Sequence, residues 1–271
     1  MRVTAILVAL AALALGVAAA VSAQGSAPTV NIAASANSLN VGATSPLASG
    51  PTRFEIAKTG GGDLEITIGA LLPGVTVDEF TTALRGGDAN AAIELVHLDG
   101  GASLTAREQR RALTLDLRPN STYVVANITG ERPRDWEVSS FEVGGQANGA
   151  ARPRADARVQ MVDLRFRGAR TLPRRGVLRF ENSGWAPHFA LAVPLRRGAR
   201  TRAVGAALRS SNQRGLGRLV DFGNLIEPQS LVTRGAVNYN EVRFPRRGRY
   251  VMVCFFEGHN TQGMYRFVRV R

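Results

Sequence analysis

The stretch Arg249-Tyr-Val-Met-Val-Cys-Phe-Phe-Glu-Gly-His-Asn-Thr-Gln-Gly-Met-Tyr-Arg-Phe-Val-Arg-Val-Arg271 decides how the rest of the chain is read. An apolar, β-rich run from Tyr250 to Phe256 contains the only cysteine, Cys254. Gly258, Asn260 and Gly263 mark a loop, and an alternating run from Met264 to Val270 follows, so two strands flank a short connection. That connection carries His259 and ends on Met264. A thiol, an imidazole and a thioether brought together in this way form a soft-metal ligand set that lacks only a second imidazole.

Of the three histidines, His188 has the right setting. In Arg179-Phe-Glu-Asn-Ser-Gly-Trp-Ala-Pro-His-Phe-Ala-Leu-Ala-Val193 a strand ends in an Asn-Ser-Gly turn and a new apolar run starts after Pro187. His97, in Ile93-Glu-Leu-Val-His-Leu98, has no Cys or Met nearby and reads as a structural or surface residue. On these residues, positions 155–271 resemble a cupredoxin, the type 1 (blue) copper fold. The resemblance implies one mononuclear copper ion with His188, Cys254 and His259 as equatorial ligands and Met264 as the weak axial one, in the spacing Cys-x4-His-x4-Met. Spacing alone licenses less: four residues able to bind copper occur where a β-sandwich could gather them. Read singly, Cys254 fits a small buried hydrophobe, Met264 a core filler, and His188 a core histidine with one satisfied hydrogen bond.

Working outward, the chain repeats itself. Arg53-Phe-Glu55 matches Arg179-Phe-Glu181, and Leu64-Glu-Ile-Thr-Ile68 falls against His188-Phe-Ala-Leu-Ala192. The segments Gly74–Leu84 and Gly198–Leu208 align without a gap, and Tyr123-Val-Val125 matches Tyr250-Val-Met252. The expected fold is therefore all-β, two tandem antiparallel Greek-key β-sandwiches of cupredoxin-like form, each with one short inserted helix. Residues 24–143 make the first unit, 144–154 a linker rich in Gly and Ala, and 155–271 the second unit. In the first helix Thr76 is the N-cap, Asp78 and Glu79 sit in the first turn, and Phe80 and Leu84 share a face. At the ligand positions the copies differ: Leu64 stands where His188 does and Asn127 where Cys254 does, and no His or Met follows in Ile128–Asp135. The first unit is expected to be a degenerate copy without metal ligands.

Compartment and charge narrow the function. Met1–Thr4 is weakly basic, Ala5–Val21 is apolar, and Val21-Ser-Ala23 offers a small-x-small cleavage pattern, so residues 1–23 read as a secretory signal peptide. A retained N-terminal anchor is the alternative, since the run is near the lower length limit for spanning. A single cysteine cannot form an internal disulfide, and outside the cytoplasm a free thiol needs protection, which a metal ion would give. Lys58 is the only lysine among 34 basic residues, and with the wealth of Ala and Gly this suggests a high-GC bacterial source and a secreted or cell-envelope location. Asn120 and Asn127 match the glycosylation acceptor pattern, left unmodified in such a source. Residues 24–143 carry a net charge of −5 and residues 144–271 a net charge of +17. The basic half points to an anionic redox partner or an anionic envelope surface, with membrane contact peripheral at most. Scattered arginines, few aromatics and no recognised motif argue against nucleic acid.

The resemblance implies an exported outer-sphere electron carrier rather than an enzyme. Multicopper oxidases and copper nitrite reductases also have tandem cupredoxin units, but they need more histidines than three. A cell-surface binding or structural protein with weak or no copper binding is the alternative from another class.

Overall fold

The computed structural model of the chain describes residues 25–43, 45–87 and 89–271. The expected signal segment, residues 1–23, lies outside the described residues. Alternation of apolar and polar residues drives nearly every element, and the fold is an all-β sandwich. The first half contains β1 (Thr29–Ser35), β2 (Ser38–Gly42), β3 (Leu47–Lys58), β4 (Leu64–Leu71), α1 (Val77–Arg85), α2 (Ala89–Ile93), β5 (Val96–Leu104), β6 (Arg110–Leu117), β7 (Ser121–Asn127) and β8 (Glu137–Ala147). The second contains β9 (Ala157–Val162), β10 (Arg165–Gly168), β11 (Thr171–Leu172), β12 (Arg175–Asn182), β13 (His188–Pro194), α3 (Thr201–Arg209), α4 (Gln213–Leu219), β14 (Ile226–Val232), β15 (Val237–Arg243), β16 (Gly248–Val253) and β17 (Tyr265–Val270).

Both halves pair their strands in the same sequence. The order β2-β1-β3-β6 in one matches β10-β9-β12-β15 in the other. Likewise β8-β7-β4-β5 matches β17-β16-β13-β14. The sheets are mixed rather than purely antiparallel: β1 with β3, β3 with β8, β9 with β12 and β11 with β17 run parallel. The other pairings are antiparallel as expected, and the parallel neighbours are never joined by a tight hairpin, so they leave no local turn signal.

Instead of two sandwiches merely tethered, the sheets run through the seam between the halves. β6 pairs β15, with Leu113 opposite Asn240 and Leu115 opposite Asn238, and β5 pairs β14, with Ser103 opposite Glu227. Polar side chains stitch this seam: Asn238 Nδ2 donates to the Asp99 carbonyl (2.8 Å), and Asn240 Nδ2 donates to Gln229 Oε1 (2.8 Å) and Asn238 Oδ1 (3.0 Å). His97 also works here, with Nδ1 3.0 Å from the Asp99 carboxylate and Nε2 2.8 Å from the Arg234 carbonyl.

Each half has a core between its sheets, around Phe54, Ile66 and Tyr123 in the first and Phe180, Met252 and Tyr250 in the second. Each sheet that carries β4 or β13 is also covered on its other face by helices: Phe80 and Leu84 of α1 pack near Val96 and Val124, while Val204 and Leu208 of α3 pack near Val251 and Val253. One helix per half was expected and two occur. α1 has the anticipated capping box, Thr76 Oγ1 accepting from the Glu79 N–H (3.2 Å) and Glu79 Oε2 accepting from the Thr76 N–H (2.8 Å). The second helices escape the pattern because α2 is five residues long and α4 contains Gly215 and Gly217, which disfavour helix.

A tyrosine fixes the corner before the last strands in both halves. Tyr123 Oη accepts from the Arg118 N–H (3.2 Å) and donates to Asp99 Oδ2 (2.9 Å); Tyr250 Oη donates to the Arg246 carbonyl (2.7 Å). Among the described residues no helix is long and apolar enough to cross a membrane.

Candidate metal centre

His188 owes its position to the loop before β13. Asn182 is fully buried at the end of β12. Its Nδ2 donates to the carbonyls of Ala186 (2.9 Å) and Val232 (3.0 Å), and its Oδ1 accepts from the Gly184 N–H (3.0 Å). This closes Ser183–Pro187 into a tight loop and delivers His188 opposite Val232. Gly184 admits the imidazole, because a Cβ there would lie 2.9 Å from His188 Nε2 and 2.5 Å from the Asp163 nitrogen.

The other three residues come from one loop between β16 and β17. The Cys254 N–H donates to the Met264 carbonyl (3.1 Å) and the Met264 N–H to the His259 carbonyl (2.9 Å), so the loop is bonded across its base. Glu257 (φ 43°) and Gly258 (φ 77°) reverse the chain in the left-handed region, and His259 follows at once. Asn260 Nδ2 donates to the Leu208 carbonyl (2.8 Å), which ties the loop to α3.

These segments bring His188, Cys254 and His259 into one buried cluster, 0%, 0% and 3% exposed. Nδ1 of His188 lies 3.2 Å from Nδ1 of His259, and Cys254 Sγ lies 3.7 Å from the same His259 nitrogen. All three donor atoms lie within 4.8 Å of one another. Met264 is wholly buried and lies in the same core as Cys254, at the mouth of β17. His97 is remote in role, held in the seam by Asp99 and the Arg234 carbonyl.

Electrostatics keep the metal-free cluster uncharged. Burial lowers His188 to about 4, with the neighbouring His259 adding to the effect and Asp163 opposing it. Burial also lowers His259. The Cys254 thiol is pushed up to about 11 by burial, although the backbone N–H groups of Phe189 and Phe256 point at the sulfur and favour the thiolate. Desolvation wins over two neutral dipoles, so a cation is what the cluster lacks for holding a thiolate. The spacing suits one ion. Nitrogens each about 2.0–2.1 Å from a metal stand at most about 4.2 Å apart, and a nitrogen and a thiolate about 4.4 Å. The 3.2 Å and 3.7 Å separations fall inside those limits. His188 Nε2 is buried without a partner among the described residues.

Around the cluster, Phe189 and Phe256 are partly buried against the second core, and the Phe256 ring meets His259 edge-on at 5.6 Å between centroids. Trp185, three residues before His188, is 68% exposed and does not shield the cluster. It sits in the loop whose inward direction is taken by Gly184 and Asn182. In the first half the counterpart positions do other work: Leu64 is core, and Asn127 Nδ2 donates to the carbonyls of Ser35 (2.8 Å) and Ser38 (3.3 Å).

No known family and no curated protein matches this chain. Among solved structures it is similar to auracyanin B (22% identity over 45% of this chain and 93% of that one, TM-score 0.30). It is also similar to auracyanin A, a "blue" copper protein from Chloroflexus aurantiacus (18% identity, 42% and 96%, TM-score 0.28). A multicopper oxidase is similar over a longer span (12% identity, 90% and 88%, TM-score 0.26). At these TM-scores the weight of any functional reading rests on the His188, Cys254 and His259 geometry.

Proposed function

We propose that the protein is an exported type 1 copper protein that carries electrons by outer-sphere transfer. His188 and His259 would hold the ion through Nδ1 and Cys254 through Sγ, with Met264 as a weak fourth ligand. Bound there, copper would supply one-electron redox chemistry. The observation that carries this reading is the convergence of two imidazole nitrogens and one thiol, 3.2 Å and 3.7 Å apart, in a buried cluster.

The chain's own residues favour transfer over catalysis. Met264 is buried in the same core as Cys254, where it would serve as the fourth ligand, and the three histidines of the sequence leave none for a second copper centre once His97 is engaged with Asp99. The Phe189 and Phe256 N–H groups aimed at the sulfur would stabilise the thiolate once its proton has left. The bonded loop base and the Asn182 turn hold the donors in place before any metal arrives, so little reorganisation accompanies a change of charge.

In this reading the first half is a copy that has lost its ligands and serves to cover one flank of the second. The net charge of +17 on residues 144–271 supports an anionic redox partner or an anionic envelope surface as the contact, and the basic residues carry no nucleic-acid motif.

The test is to titrate the purified chain with Cu(II) and record the visible spectrum. An intense thiolate-to-copper band is expected, lost in Cys254→Ser. Met264→Leu should keep the band and raise the reduction potential, because a donor that helps stabilise Cu(II) is gone. A colourless protein would instead favour a surface-binding or structural role.

A further inference from the structure

The groove on the outer face of the first sheet has no part in the copper reading. It holds about 780 Å³ and crosses β1, β2, β3, β6, β15 and β12. Small residues, among them Ala33, Gly42, Ala57, Ala112 and Gly176, make up part of its lining.

Strand register sets two arginines side by side in it, and a third lines the same groove. Arg175 on β12 lies directly opposite Arg243 on β15. β15 pairs β6 only as far as Asn240 opposite Leu113, and Arg110 on β6 lines the groove beyond that point. All three line the groove, all are exposed, and none makes an ion pair among the described residues. Neighbouring strands lie about 4.8 Å apart, so Arg175 and Arg243 stand side by side at that spacing. Like charges directly opposite on a sheet are destabilising, and an anion between them would relieve the repulsion. Arg53, by contrast, is neutralised by Glu55 and Glu241, and Arg111 by Glu108.

We propose that this groove binds a linear acidic polysaccharide, its carboxylates on Arg175, Arg243 and Arg110 and its hydroxyls on the acceptors of the groove wall. The guanidinium fork matches a carboxylate in two parallel hydrogen bonds. The acceptors are the second half of the argument. Asn31, Asn40, Glu55, Glu108 and Glu241 share the groove, and Glu108 Oε2 is buried without a partner. A polyphosphate offers only acceptors and would leave these acceptors without a donor, whereas a sugar hydroxyl donates to them. A flat bilayer cannot reach the floor, and the isoleucines of the lining, Ile32 and Ile56, are buried and cannot enter one.

The groove also lies away from the proposed copper site. β12 runs from Arg175 in the groove to Asn182 beside the His188 loop, seven residue steps or about 23 Å. An envelope polymer held at the Arg175 end would leave the His188 and His259 end free. The proposal stands whether or not copper binds.

The test uses fluorescently labelled polygalacturonate oligomers and the full chain, read by anisotropy at low and moderate salt. Saturable, salt-sensitive binding is expected. The triple variant Arg110→Gln, Arg175→Gln, Arg243→Gln should weaken it about tenfold or more. A control triple with the same charge change, Arg197→Gln, Arg202→Gln, Arg214→Gln, lies on exposed positions outside the groove and should stay within about twofold. Unfolding midpoints of both triples confirm that the comparison is between folded proteins. The proposal is overturned if polygalacturonate does not bind or if the control triple loses as much. It is equally overturned if polyphosphate or anionic phospholipid vesicles bind as tightly as polygalacturonate, since diffuse positive charge would then be enough.

Discussion

Replacing Asn182 with alanine tests whether the loop that presents His188 is built for a metal or only for folding. The side chain is fully buried, and its removal deprives the Ala186 and Val232 carbonyls of donors at 2.9 Å and 3.0 Å. The Gly184 N–H loses Asn182 Oδ1 but retains the Met161 carbonyl at 3.2 Å. Two neutral bonds lost with their acceptors left inside cost about 2–3 kcal/mol. Asn240→Ala is the matched control: it also removes two buried bonds, to Gln229 and Asn238, but at the seam. Urea unfolding of the metal-free proteins should therefore show similar losses. Copper affinity, measured by competition with a chelator, should separate them. In Asn182→Ala roughly half of the lost energy no longer pre-organises His188, which is about a tenfold weaker site, while Asn240→Ala should bind as the parent does. Equal affinities for the two variants, or a loss below about 0.5 kcal/mol in Asn182→Ala, would refute the reasoning.

Two further outcomes follow from the seam and the corners. Tyr123→Phe should cost about 2 kcal/mol because it removes the donor to Oδ2 of the buried, charged Asp99, whose Oδ1 keeps His97 and Arg118, and Tyr250→Phe about 1 kcal/mol because its partners are the neutral Arg246 backbone groups. Denaturant midpoints that ranked them the other way would contradict this. Glu227, at the seam, is raised to about 8, chiefly by burial and then by the charge of Glu65, with Ser103 and Arg111 pulling the other way. The folded state thus holds a proton that the unfolded state releases near the ordinary carboxylate range, so stability should fall as pH rises toward about 8 and level off above it. Glu227→Gln should flatten that slope; an unchanged slope in urea titrations across the window would show that another group is responsible.

Much of this architecture was legible because its signals are local. The alternation in Tyr265–Val270, the turn at Asn182–Gly184 and the capping box at Thr76 each sit within a few residues, and the all-β sandwich follows from such pieces. The convergence of His188, Cys254 and His259 was inferable from a resemblance, though spacing could not supply its distances. What the sequence concealed is long-range. Asn238 and Asn240 alternate as strand residues, yet nothing nearby says that their amides bridge to Asp99 and Gln229. Trp185 shows a second limit: it is an aromatic three residues from a proposed ligand and yet is exposed, because backbone direction in a tight loop, not side-chain type, decides what faces inward.

The sheet pairing across the middle of the molecule has a consequence for anyone dividing the chain at residues 144–154. Cutting there would strip β14 and β15 of their neighbours β5 and β6 and leave two raw edges on the same flank. Because the halves use corresponding strands at the seam, a lone second half would meet in another copy of itself the same edges in a matching antiparallel arrangement. Such a fragment is set up to form a twofold homodimer, and the intact chain is that dimer's geometry written once, with the linker fixing which halves meet.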